Sequence, residues 1–257
     1  MINNALQIGI AGLGSPGVRL DSVAASYEEV ARHAGLSTSP RERALTLIHA
    51  ALLRAWAGDF AEAKSSLASV ADLSDSPAGL ITYGEAALGA AVRGVVCEMS
   101  GEPSQGWFDQ AQARAKLSAD PAGTLAIVTV LQAEISAYAD PLRARRDSLN
   151  ALAHFRQRGV ADWYLWALRA AAVTAREAGL TAVAGAELLA AHSLSRSPWD
   201  QARTELALGE MLFQEGRFNA ARPYLISARS TFKAQRAKYL AMRALTRLTV
   251  ADPHSGR

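Results

Sequence analysis

The stretch Leu208-Gly209-Glu210-Met211-Leu212-Phe213-Gln214-Glu215-Gly216-Arg217-Phe218-Asn219-Ala220-Ala221 closes one apolar helical pattern and opens another. In its first part Leu206, Leu208, Leu212 and Phe213 alternate with Glu205, Glu210 and Glu215, the three- and four-residue spacing of an amphipathic helix. Gly216 suits the left-handed turn that ends a helix, Phe218 anchors the start of the next, and Ala221 lets two helices approach closely. The hexamer Gly-x-Phe-x-x-Ala occurs twice more, from Gly58 to Ala63 and from Gly106 to Ala111. Helical hairpins repeated in this way stack into a solenoid, an architecture built to hold another molecule.

The helical pattern extends on both sides of this hairpin. Ser39-Pro40, Ser76-Pro77, Asp120-Pro121, Asp140-Pro141 and Ser197-Pro198 each set a capping residue before a proline, which suits the first position of a helix. Glu42 three residues after Ser39 completes a capping box, and Asp200 after Ser197 is an acidic variant of it. The spacing predicts helices over 22–34, 41–56, 60–72, 78–99, 107–118, 122–138, 142–157, 161–178, 182–193, 199–214, 218–233 and 237–250, joined by short connections. Residues 1–20, with Gly9, Gly12, Gly14, Pro16 and Gly17, read as a flexible leader, and 21–257 as a single domain.

Half of the 257 residues are hydrophobic, alanine is abundant and aromatics make up 7%, which favours close-packed helices over strands. No apolar run is long enough to span a membrane, and the mildly apolar Ala5 to Val18 has no preceding Lys or Arg to make it a signal peptide. A single cysteine, Cys97, excludes an internal disulfide framework, fits a reducing cytoplasm and reads as a buried small hydrophobe. The net charge of +3 divides unevenly: residues 1–140 hold 9 basic and 15 acidic side chains, and 141–257 hold 18 and 9. Halves of −6 and +9 suit an acidic partner, a solvated basic face, or head-to-tail pairing of molecules.

Leu208-Gly209, Phe213, Gly216, Phe218, Ala221, Leu225 and Ala228 fall at positions that resemble the unit of the tetratricopeptide-repeat family, about 34 residues of helix, turn and helix. The first repeat is similar at Gly58, Phe60, Ala63 and Leu67, with Ala50-Ala51 in place of Leu-Gly. Weaker units surround Ala111, Ala144 and Ala184, and the alanine register advances by 48, 33, 40 and 37 residues, so the repeat is degenerate. The resemblance implies a right-handed α-solenoid of about five hairpins whose first helices line a concave groove. The run Arg203 to Glu210, with Gly216-Arg217-Phe218 and Ala228 to Phe232, is also similar to the repeat region of large ATP-binding LuxR-type bacterial regulators. Neither the ATPase module nor the terminal helix-turn-helix of those regulators is evident.

Other motifs carry less. Gly12-x-Gly14-x-x-Gly17 has the letters of a dinucleotide loop but is followed by helices where a parallel sheet is needed. Tyr27 to Ser37 resembles the opening of a helix-turn-helix, which Pro40 and Arg41 then interrupt. Arg143, Arg145, Arg146, Arg156 and Arg158, and separately Arg236, Lys238, Arg243 and Arg247, form basic clusters that read best as solvated outer faces. The five histidines are dispersed without metal-ligand spacing, and no nucleophile, base and orienting group stand together.

On the helix predicted over 161–178, Trp166, Arg169, Val173 and Arg176 share one face. The repeat register sets that face on the groove beside Glu210, Phe213 and Gln214. Aromatic and arginine side chains are common interface anchors, although Trp163 and Trp166 equally suit gaps between alanine-rich helices. The sequence therefore predicts a non-catalytic scaffold, without cofactor or metal, binding a protein or peptide segment, acidic or carboxylate-bearing, through Trp166, Arg169, Arg176, Glu210, Phe213 and Gln214. The alternatives are a ligand-sensing regulator that contacts DNA through the N-terminal segment or a basic face, and a self-assembling module.

Overall fold

The computed structural model describes residues 18–33, 39–76, 78–135 and 140–251. These residues form twelve α-helices and no strand: α1 (Leu20–His33), α2 (Pro40–Ala57), α3 (Phe60–Ser74), α4 (Tyr83–Ser100), α5 (Gln105–Lys116), α6 (Pro121–Ala133), α7 (Pro141–Arg158), α8 (Ala161–Glu177), α9 (Thr181–Leu194), α10 (Pro198–Gln214), α11 (Phe218–Ala234) and α12 (Lys238–Ala251). None of them is long and apolar enough to cross a membrane.

Caps start the helices where the sequence placed them in four of five X-Pro pairs. Ser39 accepts from the Glu42 amide at 3.3 Å while its own amide donates to the Glu42 carboxylate at 3.1 Å. Asp120, Asp140 and Ser197 accept from the amides of Gly123, Arg143 and Asp200. Ser76-Pro77 does not start a helix. Pro77 lies outside the described residues, and α4 begins at Tyr83 behind a capping box made by Thr82 and Glu85. The helix predicted over 122–138 ends at Ala133, and 136–139 lie outside the described residues.

The helices divide into two layers. α2, α4, α6, α8, α10 and α12 touch one another in that order, and α12 returns to α2. α3, α5, α7, α9 and α11 each bridge two consecutive members of this inner ring from outside, while α1 packs on α2. Burial follows the layers: α4 buries fourteen of its eighteen residues, whereas α7 buries only Ala144, Ser148, Ala151 and Phe155, a single stripe. The register alanines Ala63, Ala111, Ala144, Ala184 and Ala221 each lie buried on one of the five bridging helices.

The three hexamers are not equivalent. Gly58 and Gly216 end α2 and α10 with φ of +85° and +72°, as the left-handed cap requires. Gly106 instead sits inside the first turn of α5, and the turn after α4 uses Gly101. Phe108 is consequently fully buried, while Phe218 is exposed and rests edge-on against Phe213.

The two ends of the described chain meet. The Leu20 amide donates to the Gln235 carbonyl at 3.0 Å, and fully buried Leu20 begins α1 where a flexible leader was expected to end. Arg236 pairs with Asp21 at 3.2 Å, Lys238 with Asp59 at 3.5 Å, and the Phe60 and Tyr239 rings meet at 6.1 Å. The acidic N-terminal and basic C-terminal halves thus contact each other within one molecule. Exposed ion pairs contribute little individually, so the apolar contacts carry most of this closure. The glycine motif at 12–17 lies outside the described residues, as do 34–37 of the helix-turn-helix-like segment.

Candidate functional site

A cavity of about 50 Å³ lies on the axis of the inner ring, and all six inner helices reach it: Trp56 from α2, Met99 from α4, Glu134 at the end of α6, Arg169 from α8, Arg203 from α10 and Arg243 from α12. The contributing position moves from the C-terminal ends of α2, α4 and α6, through the middles of α8 and α10, to the first turns of α12.

An aromatic chain runs beside the cavity and meets it at Trp56. Phe155, Trp163, Trp166, Trp56, Trp199 and Phe232 form a continuous chain with successive centroids 5.5, 5.3, 5.8, 5.0 and 5.6 Å apart, joining α7 to α11 through the centre. The Arg203 guanidinium stands 4.1 Å from the Trp166 ring, 4.9 Å from Trp56 and 5.8 Å from Trp199. Such contacts contribute about 2 kcal/mol when desolvated, which offsets part of the cost of burying a charge.

Carboxylates hold the remaining charge. Arg203 pairs with Glu134, which also accepts from Arg169 Nε at 3.5 Å. Arg169 Nη1 donates to Asp200 at 3.4 Å. Arg243 donates to both oxygens of Glu210 at 2.5 and 2.7 Å, and Arg176 approaches the same carboxylate at 3.9 Å. Burial pulls Arg169 below the usual guanidinium range against the opposing charge of Asp200. Burial, with the nearby Arg243 charge adding to it, pulls Arg203 down to about 9, so it stays charged at neutral pH. Arg169 Nη2 and Arg203 Nη1 are buried without a hydrogen-bond acceptor. Unmet buried donors cost about 1–3 kcal/mol each, and more when charged.

No family model matches this chain, and no curated protein does. The site is therefore read from its own geometry.

Of the side chains singled out in the sequence, Arg169 and Glu210 line this cavity, while Arg176 reaches it only through Glu210 and Trp166 does not line it. Trp166 is buried beneath Arg203, so its indole supports the arginine and presents no open face. Phe213 lies half-buried towards the end of α10, with Phe218 at 5.1 Å and the Arg247 guanidinium 5.6 Å from its ring, and Gln214 is exposed. Trp56, Glu134 and Arg203 escaped the sequence reading as site residues, and Arg243 was read as part of a solvated face. Arg203 was within reach of it: stepping back from Glu210 by four, three and four residues gives Leu206, Arg203 and Trp199, one continuous helix face.

The basic clusters are corrected in part. Arg243 points to the axis instead of a solvated face. Arg145 donates to both oxygens of Glu187 at 2.9 and 2.7 Å and is nearly buried, although Arg146 remains exposed. Among the described residues no group of His, Cys, Asp and Glu is placed to hold a metal ion. His49 is buried, and His192 approaches Glu205 at 3.6 Å. Cys97 is buried, and that burial pushes its thiol pKa up.

Proposed function

We propose that this chain is a non-catalytic binding module, a TPR-like right-handed α-solenoid of helical hairpins that holds its partner on its inner face. The observation that carries this reading is the convergence of Arg169, Arg203 and Arg243 on one axial cavity reached by all six inner helices. Two layers and buried register alanines suit stacked hairpins. The partner is a protein or peptide presenting an acidic or carboxylate-bearing group, because guanidinium forks select such groups. Half-buried Ile135, Val173, Tyr239 and Arg243 form the side of the cavity nearest solvent, where a projecting group would enter. A buried free thiol and the lack of a membrane-crossing helix among the described residues suit a cytoplasmic site of action.

A second reading, a ligand-sensing regulator, draws on the same cavity, whose volume suits a small group better than a peptide backbone. Its DNA-contacting half has less support, since Arg32 pairs with Glu29 and Arg41 with Glu85.

Affinity purification of the tagged protein from its native host, with bound species identified by mass spectrometry, tests the inner face. The wild type and an Arg146→Gln control on exposed α7 retain the partner, whereas Arg243→Gln loses at least tenfold of it while keeping its helix content. Retention by Arg243→Gln together with loss in Arg146→Gln would move the binding face to the outer layer and sink the proposal.

A further inference from the structure

Two arginines that line the axial cavity carry more donor capacity than the protein satisfies. Arg169 is 2% exposed and Arg203 8%, and both line the cavity. Arg169 engages Glu134 and Asp200 through Nε and Nη1, and Arg203 engages Glu134 through Nη2. The Nη2 of Arg169 and Nη1 of Arg203 remain without acceptors. Arg243 cannot share this need, because Glu210 takes its Nε and Nη2 and the Glu134 carbonyl takes its Nη1 at 3.4 Å. Three guanidinium groups and two carboxylates line the cavity, and the Asp200 carboxylate paired with Arg169 balances their charge.

Size narrows the ligand. The volume of about 50 Å³ is a fraction of the roughly 150 Å³ that admits benzene, enough for a few waters or a single small polar group. What the site lacks is acceptors for guanidinium N–H groups, and an oxyanion makes stronger, shorter hydrogen bonds with them than a neutral group does. Two guanidinium groups joined through Glu134 and packed over the same Trp166 ring, at 5.6 and 4.1 Å, also offer a fixed pair of donors to a two-oxygen acceptor.

We propose that the axis of the ring is a binding site for one small oxyanion, a carboxylate or a phosphate group, held by Arg169 Nη2 and Arg203 Nη1. The inference deepens the binding-module reading and rests on it only in taking the axis as the ligand face. Because α6, α8 and α10 all hold the two arginines, occupancy ties three inner helices together and raises the stability of the fold.

The test uses the purified full chain at pH 7 and constant ionic strength, titrated with sodium acetate, sodium phosphate or sodium chloride while thermal unfolding is followed. The expected result is a saturable rise in Tm with acetate or phosphate beyond that with chloride. Acetate alone identifies a carboxylate site, and phosphate alone a tetrahedral one. Arg203→Lys keeps a cation on the tryptophans but removes Nη1, and should weaken the response at least tenfold, as should Arg169→Lys. If either variant fails to fold, line broadening of 13C-acetate and of the 31P resonance of phosphate by the wild type reads the site directly. No saturable response to either anion by Tm or line width, or an undiminished response in both folded variants, would overturn the proposal. Partner capture through the inner face would survive that failure, so the two readings fail separately.

Discussion

His49 lies on α2 with its ring 5.9 Å from that of Tyr27, and its Nε2 is buried without a partner. Burial moves its pKa from the ordinary 6.5 down to about 4. The unfolded chain therefore takes up a proton between pH 6.5 and 4 that the folded chain refuses, so stability falls as pH drops through that window. The loss is on the order of 3 kcal/mol once both states have titrated. Asp21 acts in a separate window: its hydrogen bond with Arg19 holds its carboxyl at about 2, so its stabilisation is present above 3.8 and disappears as pH falls towards 2. Urea unfolding at pH 7, 5.5 and 4.5 checks the histidine. His49→Leu should flatten most of the pH dependence across those points, and an unchanged slope would show that another group titrates there. Residue chemistry of this kind is hard to read from sequence, because His49 differs from exposed histidines only in what surrounds it. Arg203 was hidden for the same reason, although its helix face was open to inspection.

Packing between elements depends on small residues on the inner helices. A Cβ added at Gly209 would stand 2.6 Å from the Leu225 side chain of α11, and one at Gly94 would meet the Phe108 ring of α5 at 2.8 Å. Gly in a helix interior costs about 1 kcal/mol against Ala, so these positions are kept open for the neighbouring layer. Gly209→Ala gains that propensity but overpacks the contact, which typically costs about 1–3 kcal/mol. The expected net result is a loss of about 1–2 kcal/mol, recovered in part when Leu225→Ala makes room; both are read from denaturant midpoints. A Gly209→Ala variant as stable as wild type would mean that α11 shifts freely on α10. These contacts explain why the elements were legible: Leu208-Gly209 and Leu225 are both visible as repeat positions, and Asp and Ser caps announce the starts. Gly106 misled because three matching letters concealed a different phase, with Phe108 filling the space over Gly94. Thr82 was overlooked because a proline upstream offered a stronger local signal than a capping box without one.

At the scale of the molecule, the decisive feature is that α12 returns to α2. Sequence periodicity reports only neighbouring hairpins, so a meeting between residues near 20–60 and 235–243 has no local signature. The charge division was its one visible trace, and it served equally for pairing between molecules. Closure brings all six inner helices to one axial cavity and uses Asp21, Asp59, Arg236 and Lys238 within the chain. A Cβ at position 58 would lie 3.7 Å from that of Lys238, inside the roughly 3.5–4.5 Å range of disulfide partners. The φ of +85° at Gly58 adds some strain to a cysteine there without preventing approach. The most direct measurement is therefore oxidation of Gly58→Cys, Lys238→Cys in a Cys97→Ser background, followed by mass spectrometry of the monomer and the peptides. A closed ring predicts an intramolecular 58–238 cross-link at dilute protein concentration; reduced monomer, or cross-linked dimer alone, would contradict it.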